Sequence, residues 1–101
     1  MTKQFESFAQ FYPFYLAEHA NVTCRRLHFI GSTLALILAA LALYSSNYLW
    51  FLVAVIQGYA WAWVGHFFFE KNKPATFQHP LYSFIGDWVM YKDMATGKIA
   101  F

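Results

Sequence analysis

The 43 residues from Leu27 to Phe69 contain no Lys, Arg, Asp or Glu. A helix needs about 20 apolar residues to cross the hydrocarbon of a bilayer. The run is therefore long enough for two crossings, provided the chain reverses midway. Ser45, Ser46 and Asn47 are its only stretch of three polar residues and suit a tight turn. The pattern predicts a first span over 27–44 and a second over 48–69. The competing reading, a soluble helical hairpin, fails because almost nothing polar is left to face water. Composition agrees: 59% of the 101 residues are apolar and 12% are charged, against about 25% charged in ordinary soluble domains. Length allows one domain, covering 1–101. Seven basic residues against five acidic ones give a net charge of +2, too little for a phosphate-binding stripe, so nucleic acid is not an expected partner.

The flanks predict orientation. Arg25 and Arg26 precede the first span, Lys71 and Lys73 follow the second, and the turn between them is uncharged. Positive residues stay cytoplasmic, so both termini are expected there. A bacterial inner membrane is expected rather than the endoplasmic reticulum. Tyr44, Tyr48 and Trp50 ring the turn as an interfacial aromatic belt would. Gly31, Ala35, Ala39 and Ala42 in one span, and Ala54, Gly58, Ala62 and Gly65 in the other, recur at three- and four-residue steps. Such small residues let helices approach closely in lipid. Gln57, in mid-span, is expected to make an interhelical hydrogen bond.

Both ends predict interfacial helices. Residues 3–20 carry Phe5, Phe8, Phe11, Tyr12, Phe14, Tyr15 and Leu16 as a broad apolar stripe, with Pro13 expected to kink or restart the helix. Asn21 and Thr23 offer caps for the helix that follows. Near the other end, Pro80 can open a helix over 80–94. There Leu81, Phe84, Ile85, Trp88 and Val89 form an amphipathic stripe, with Asp87 and Lys92 away from it. Gly97 is expected to end the ordered part. The fold class is thus an all-α integral membrane hairpin of two spans with amphipathic helices at both ends. Two spans make a thin wall around a site, so a homo-oligomer, a dimer, is expected in contact with membrane lipids.

The four histidines, His19, His28, His66 and His79, all fall at one membrane face in this topology. His28 and His66 lie near the small-residue seam. Histidine is the commonest metal ligand among side chains. Four of them with a single cysteine, Cys24, suit Fe, Zn, Cu or Ni rather than Ca or Mg. Glu18, Glu70 and Asp87 fall in the same zone, either as ligands or as groups that hold the ring N–H atoms. Polar groups gathered at membrane depth are a functional-site hypothesis by default. A non-haem metal site, a haem-binding electron carrier and a non-catalytic membrane scaffold all remain open on spacing alone.

Two blocks narrow this choice. The first runs from Phe14-Tyr15-Leu16 through His19, Asn21, Arg25, His28, Phe29, Ile30 and Gly31. The second is Gly65-His66-Phe67-Phe68-Phe69-Glu70, then Asn72, Pro74-Ala75-Thr76-Phe77, Pro80-Leu81, Ser83, Phe84 and Gly86-Asp87. Together they resemble the family of small membrane 2-hydroxy-fatty-acid dioxygenases, long catalogued as a domain of unknown function, whose yeast member acts in sphingolipid alpha-oxidation. The resemblance implies an Fe(II)-dependent enzyme that uses O2 to shorten a 2-hydroxy fatty acid by one carbon. It carries the family's histidines onto His19, His28, His66 and His79 as metal-binding and catalytic residues. Glu18, Asn21, Arg25, Glu70, Asn72 and Asp87 are then expected beside them, supporting the metal or the substrate. Arg25 or Arg26 either pairs with the substrate carboxylate or anchors the helix at the headgroups.

Overall fold

The computed structural model describes residues 5–101, and every regular element among them is helical. Helix α1 covers Phe8–Ala17, α2 Val22–Ser45, α3 Leu49–Val64 and α4 Pro80–Ala95. A π-helical turn, Gly65–Glu70, continues α3, and a short 3-10 turn, Ala75–Phe77, leads into α4.

Helix α2 starts five residues ahead of the expected span because Asn21 caps it. The Asn21 side chain accepts the Cys24 N–H at 3.0 Å. Thr23, the other candidate cap, lies inside the helix. At the far end Ser46 takes the left-handed conformation, with φ 54. The Asn47 N–H then donates to Ser45 Oγ and the Leu49 N–H to Asn47 Oδ1, each at 3.3 Å. The three polar residues thus build the reversal. Both segments, Val22–Ser45 and Leu49–Glu70, are long and apolar enough to cross a membrane, with mean hydropathies of 2.0 and 1.3. Only 17% and 22% of those apolar stretches is buried within the chain. The core helix of a soluble protein would be mostly covered, so this surface calls for lipid or an apolar partner.

The two long helices meet at their glycines. A Cβ on Gly31 would lie 3.0 Å from Trp61 Cβ and 3.2 Å from Gly58 O. Beside this crossing Gln57 Nε2 donates to Gly31 O at 2.9 Å, the interhelical bond expected of it.

The two end helices bury different kinds of face. The sequence reading begins the first helix at residue 3, but residues 3 and 4 lie outside the described residues. The described helix begins at Phe8, with Ser7 Oγ accepting the Gln10 N–H at 3.2 Å. It runs through Pro13 without restarting. Phe11 and Tyr15, at the centre of its apolar stripe, are fully buried with Met90 and Met94 of α4. In α4 most of the predicted stripe is left uncovered by the protein, as an interfacial helix requires, with Trp88 and Val89 half-buried. Leu81, Phe84 and Ile85 are exposed, and the buried face is Ser83, Gly86, Met90, Asp93 and Met94. The reason is polar satisfaction. Asp87 receives the Tyr15 hydroxyl, Asp93 Oδ2 receives that of Tyr12 at 2.8 Å, and Ser83 Oγ pairs with Thr76 Oγ1 at 3.0 Å. These groups need partners once out of water, whereas the Leu–Phe–Ile face can meet lipid without any.

The tail is also held. The Ile99 N–H donates to Asp93 O at 3.0 Å, and Arg26 Nε donates to the main-chain oxygen of Phe101 at 3.1 Å. The Phe101 ring packs on Phe29. Fraying after Gly97 is therefore not what the structure has.

A Cβ on Gly86 would come within 2.9 Å of the Tyr15 ring. Gly86→Ala should destabilise the α1–α4 pair by about 1–3 kcal/mol, an overpacking penalty. Thermal unfolding in detergent, followed by near-ultraviolet circular dichroism, measures it.

Candidate metal centre

Three of the four histidines converge where α1, α2 and the π-helical turn meet. The ligand atoms of His19, His28 and His66 all lie within 4.8 Å of one another. His19 Nε2 is 3.2 Å from His28 Nε2 and 2.9 Å from His66 Nε2. All three rings are buried.

The opposite nitrogen of each ring decides what these contacts mean. His19 Nδ1 donates to Tyr15 O at 2.6 Å, and His28 Nδ1 donates to Cys24 O at 2.9 Å. His66 Nδ1 stands 2.7 Å from Asn72 Oδ1. The Asn72 amide is oriented by Glu18, because its Nδ2 donates to Glu18 O and to Glu18 Oε2, both at 3.0 Å. Its oxygen must therefore face the imidazole, so His66 Nδ1 donates as well. Every Nδ1 carries the ring proton, and the three Nε2 atoms face one another with lone pairs and no hydrogen between them. Burial holds His19 well below the usual imidazole range, and His28 and His66 beside it add to the effect. A cation would satisfy three such lone pairs; nothing else among the described residues does. Neutral imidazole bound through Nε2, with Nδ1–H fixed by a carbonyl or amide oxygen, is the normal form of a metal-binding histidine.

Local structure explains each position. Tyr15 O is one of the orphan carbonyls at the end of α1, and His19, just past the helix, captures it. The Tyr15 ring stacks on the His19 ring at 3.9 Å and 22°. His28 reaches back one turn along α2 to Cys24 O. His66 sits in the π-helical turn, where Lys71 closes the segment in the left-handed conformation at φ 60. The wider turn brings Asn72 back under His66: the Asn72 N–H donates to His66 O at 3.1 Å while its side chain takes Nδ1. Such turns are rare and cluster at functional sites. Gly65 makes the approach possible, since a Cβ there would lie 3.0 Å from Cys24 Sγ and 3.1 Å from Cys24 Cα.

The remaining expected residues surround this group at different removes. Glu18 and Asn72 form the relay to His66. Glu70 Oε2 accepts the Asn21 N–H at 2.7 Å, tying the π-helical turn to the start of α2. Arg25 Nη1 donates to His19 O at 3.3 Å and Ala20 O at 3.0 Å, so it fixes the segment carrying His19. Asp87 accepts the Tyr15 hydroxyl, and burial pushes its carboxyl up to about 7 against the pull of that bond. His79 lies apart from the three, with its ring against Phe5, Phe11 and Phe14. Tyr15 and Cys24 were not singled out from sequence as supports. Their only signal is position, each four residues before a histidine.

A small chamber of about 10 Å³ touches all three imidazoles and is also lined by Thr76, Ser83 and Asp87. That is room for about one small ion or water. A second cavity, of about 240 Å³, runs between α2 and α3 and shares His28, Tyr59, Ala62 and Asp87 with the chamber.

Asn72→Ala removes the acceptor that sets the His66 tautomer while leaving the three Nε2 ligands in place. Metal affinity should fall about 10–100-fold. Anaerobic titration with Co(II), whose visible bands report coordination, measures it.

Comparison with known proteins bears on what this group is for. Neither the curated proteins nor the solved structures yielded a match. A family profile matches residues 5–99, nearly the whole chain. The matched span contains all three converging histidines, the Asn72–Glu18 relay and Asp87. The chain belongs to the family described as 2-hydroxy-palmitic acid dioxygenase Mpo1-like.

Proposed function

We propose that this protein is an iron-dependent membrane dioxygenase that converts a 2-hydroxy fatty acid into the fatty acid one carbon shorter. The observation that carries the reading is the set of three imidazole lone pairs aimed at one point, at the head of an apolar cavity. The overall reaction is R-CH(OH)-COOH + O2 → R-COOH + CO2 + H2O. It balances without a nicotinamide or 2-oxoglutarate, because the substrate supplies all four electrons.

His19, His28 and His66 hold the ion in this reading. Iron(II) with three protein ligands keeps open positions and, when bound, supplies the oxygen chemistry. The chain's own groups bind and orient the substrate. Thr76 and Ser83 line the chamber with their hydroxyls 3.0 Å apart, and whichever hydroxyl accepts within that pair can donate to a carboxylate. Asp87 borders both chamber and cavity, and a carboxyl near 7 can take up the substrate's hydroxyl or carboxyl proton close to neutral pH. Tyr15 holds that carboxyl in one orientation. His79 keeps α1 on α4 through its aromatic contacts, and so supports the site from outside. Arg25 and Arg26 organise main-chain oxygens, which favours the anchoring role over a direct hold on the substrate. The haem alternative is disfavoured by space: Nε2 atoms 2.9 and 3.2 Å apart leave no room for a porphyrin between them.

The positive flanks support a reading with both termini, and the site, on the cytoplasmic side of a bacterial inner membrane. A reporter fused to either end should read cytoplasmic; a periplasmic signal from either overturns that topology.

His19→Ala, His28→Ala and His66→Ala should each lower bound iron and abolish O2 uptake, whereas His79→Ala should keep iron and lose stability. Iron per chain in anaerobically purified protein, with product analysis on 2-hydroxypalmitate, measures this. Asp87→Asn should retain iron and lose about 10²–10⁴ in rate, the scale of one proton-transfer group. If 3-hydroxypalmitate and palmitate are consumed as fast as the 2-hydroxy acid, the decarboxylation reading fails.

A further inference from the structure

The cavity between α2 and α3 has a polar end and an apolar barrel. His28 and Asp87 stand at its head, and Ala35, Ala39 and Phe51 lie along it toward the turn. From His28 to Ala39 it follows α2 for eleven residues, about 16 Å. Gly31 and Gly58 both line the cavity at the helix crossing, but for different reasons. Gly31 is needed for the helices to touch, because its Cβ would strike Trp61. Gly58 is not: a Cβ there would meet only Gly31 O, at an ordinary 3.9 Å. Glycine in a helix interior destabilises it relative to alanine. The cost at Gly58 has no packing reason, but Gly58 lines the cavity.

We propose that this groove is a ruler for the acyl chain, in which Ala35 and Ala39 set by their smallness how long a chain reaches past them while its head sits at the histidines. The proposal rests on the dioxygenase reading for the identity of that head. The occupant follows from continuity: the groove and the histidine chamber share four lining residues, and the remaining lining is almost wholly apolar. An extended chain advances about 3.6 Å per three bonds, so the distance to Ala39 corresponds to about a dozen carbons. Ala35 and Ala39 lie about one helical turn apart on one face, which is about five carbons.

The experiment places the same obstacle at two depths, in Ala35→Leu and Ala39→Leu. Both changes keep a strong helix former. Wild type and variants are assayed in nanodiscs for O2 uptake on 2-hydroxy acids of eight to eighteen carbons. The shortest acids should be oxidised alike by all three proteins. Each variant should reject chains that reach its leucine by about tenfold or more, the scale of overpacking. The cutoff should fall about five carbons later in Ala39→Leu than in Ala35→Leu. Should Ala35→Leu not fold, Gly58→Ala supplies a smaller obstacle nearer the head, opposite Gly31, with a correspondingly earlier and weaker cutoff.

A second readout needs neither iron nor turnover. Palmitate with a terminal diazirine, photolysed with metal-free protein, should label the groove around Ala39 and Phe51, and Ala35→Leu should abolish that label. Label confined to outward-facing residues such as Ile37 and Ile56 would overturn the ruler and leave an ordinary lipid tail as the occupant. So would a chain-length profile that both leucines leave unchanged or depress uniformly. If wild type oxidises no 2-hydroxy acid yet the groove labels as expected, the dioxygenase reading fails and the acyl groove survives it.

Discussion

Three nitrogen lone pairs meeting in a buried space is an unstable arrangement unless something positive joins them, and much of the surrounding structure serves to hold it. Each imidazole is turned by a hydrogen bond on its far side, to Tyr15 O, Cys24 O and Asn72 Oδ1. Those acceptors are fixed in turn. Tyr15 is locked by its ring stacking and by Asp87, Cys24 by the start of α2, and Asn72 by Glu18. A rotation of any one ring would bring an N–H toward the centre. The hydrogen-bonded frame excludes that rotation, which leaves a cation as the natural complement.

The frame needs three segments at one point, and the backbone is shaped to allow it. α1 ends where its last free carbonyl meets His19. α2 begins at a cap that Glu70 reaches from the π-helical turn. The second long helix changes to a wider pitch at Gly65, and Gly65 itself lets the turn close on Cys24. The same glycine-rich seam that joins the two long helices opens into a groove beside Gly58, so close packing and vacant space come from one pattern of small residues.

Helix α4 inverts the usual rule for an amphipathic helix. Leu81, Phe84 and Ile85 point outward, while Ser83, Gly86 and Asp93 face the protein beside Met90 and Met94. In water this would be costly. Against lipid it is the lower-energy choice, because Leu81, Phe84 and Ile85 lose nothing there while Ser83, Asp87 and Asp93 find partners inside. The inversion brings Asp87 to the border of the histidine chamber.

The sequence by itself determined the elements that follow from local chemistry. The absence of charge over 27–69 fixed two long apolar helices, Ser45-Ser46-Asn47 fixed the reversal, and Asn21 and Pro80 fixed where α2 and α4 start. It also placed four histidines near one end of the hairpin, because topology alone gathers them there. Tertiary structure decided the rest. Which three histidines converge depends on the π-helical turn and on the stacking of α1 on α4, and neither leaves a periodic trace. His79 was indistinguishable from the others by position, yet its ring went to Phe5, Phe11 and Phe14. The stripe of α4 marked its apolar face, but which residues of the opposite face meet α1 could not be read from it, since periodicity does not name partners. The partners of Tyr12, Tyr15, Asp87 and Asp93 lie some 70 to 80 residues apart in the chain, and only the packed helices bring them together.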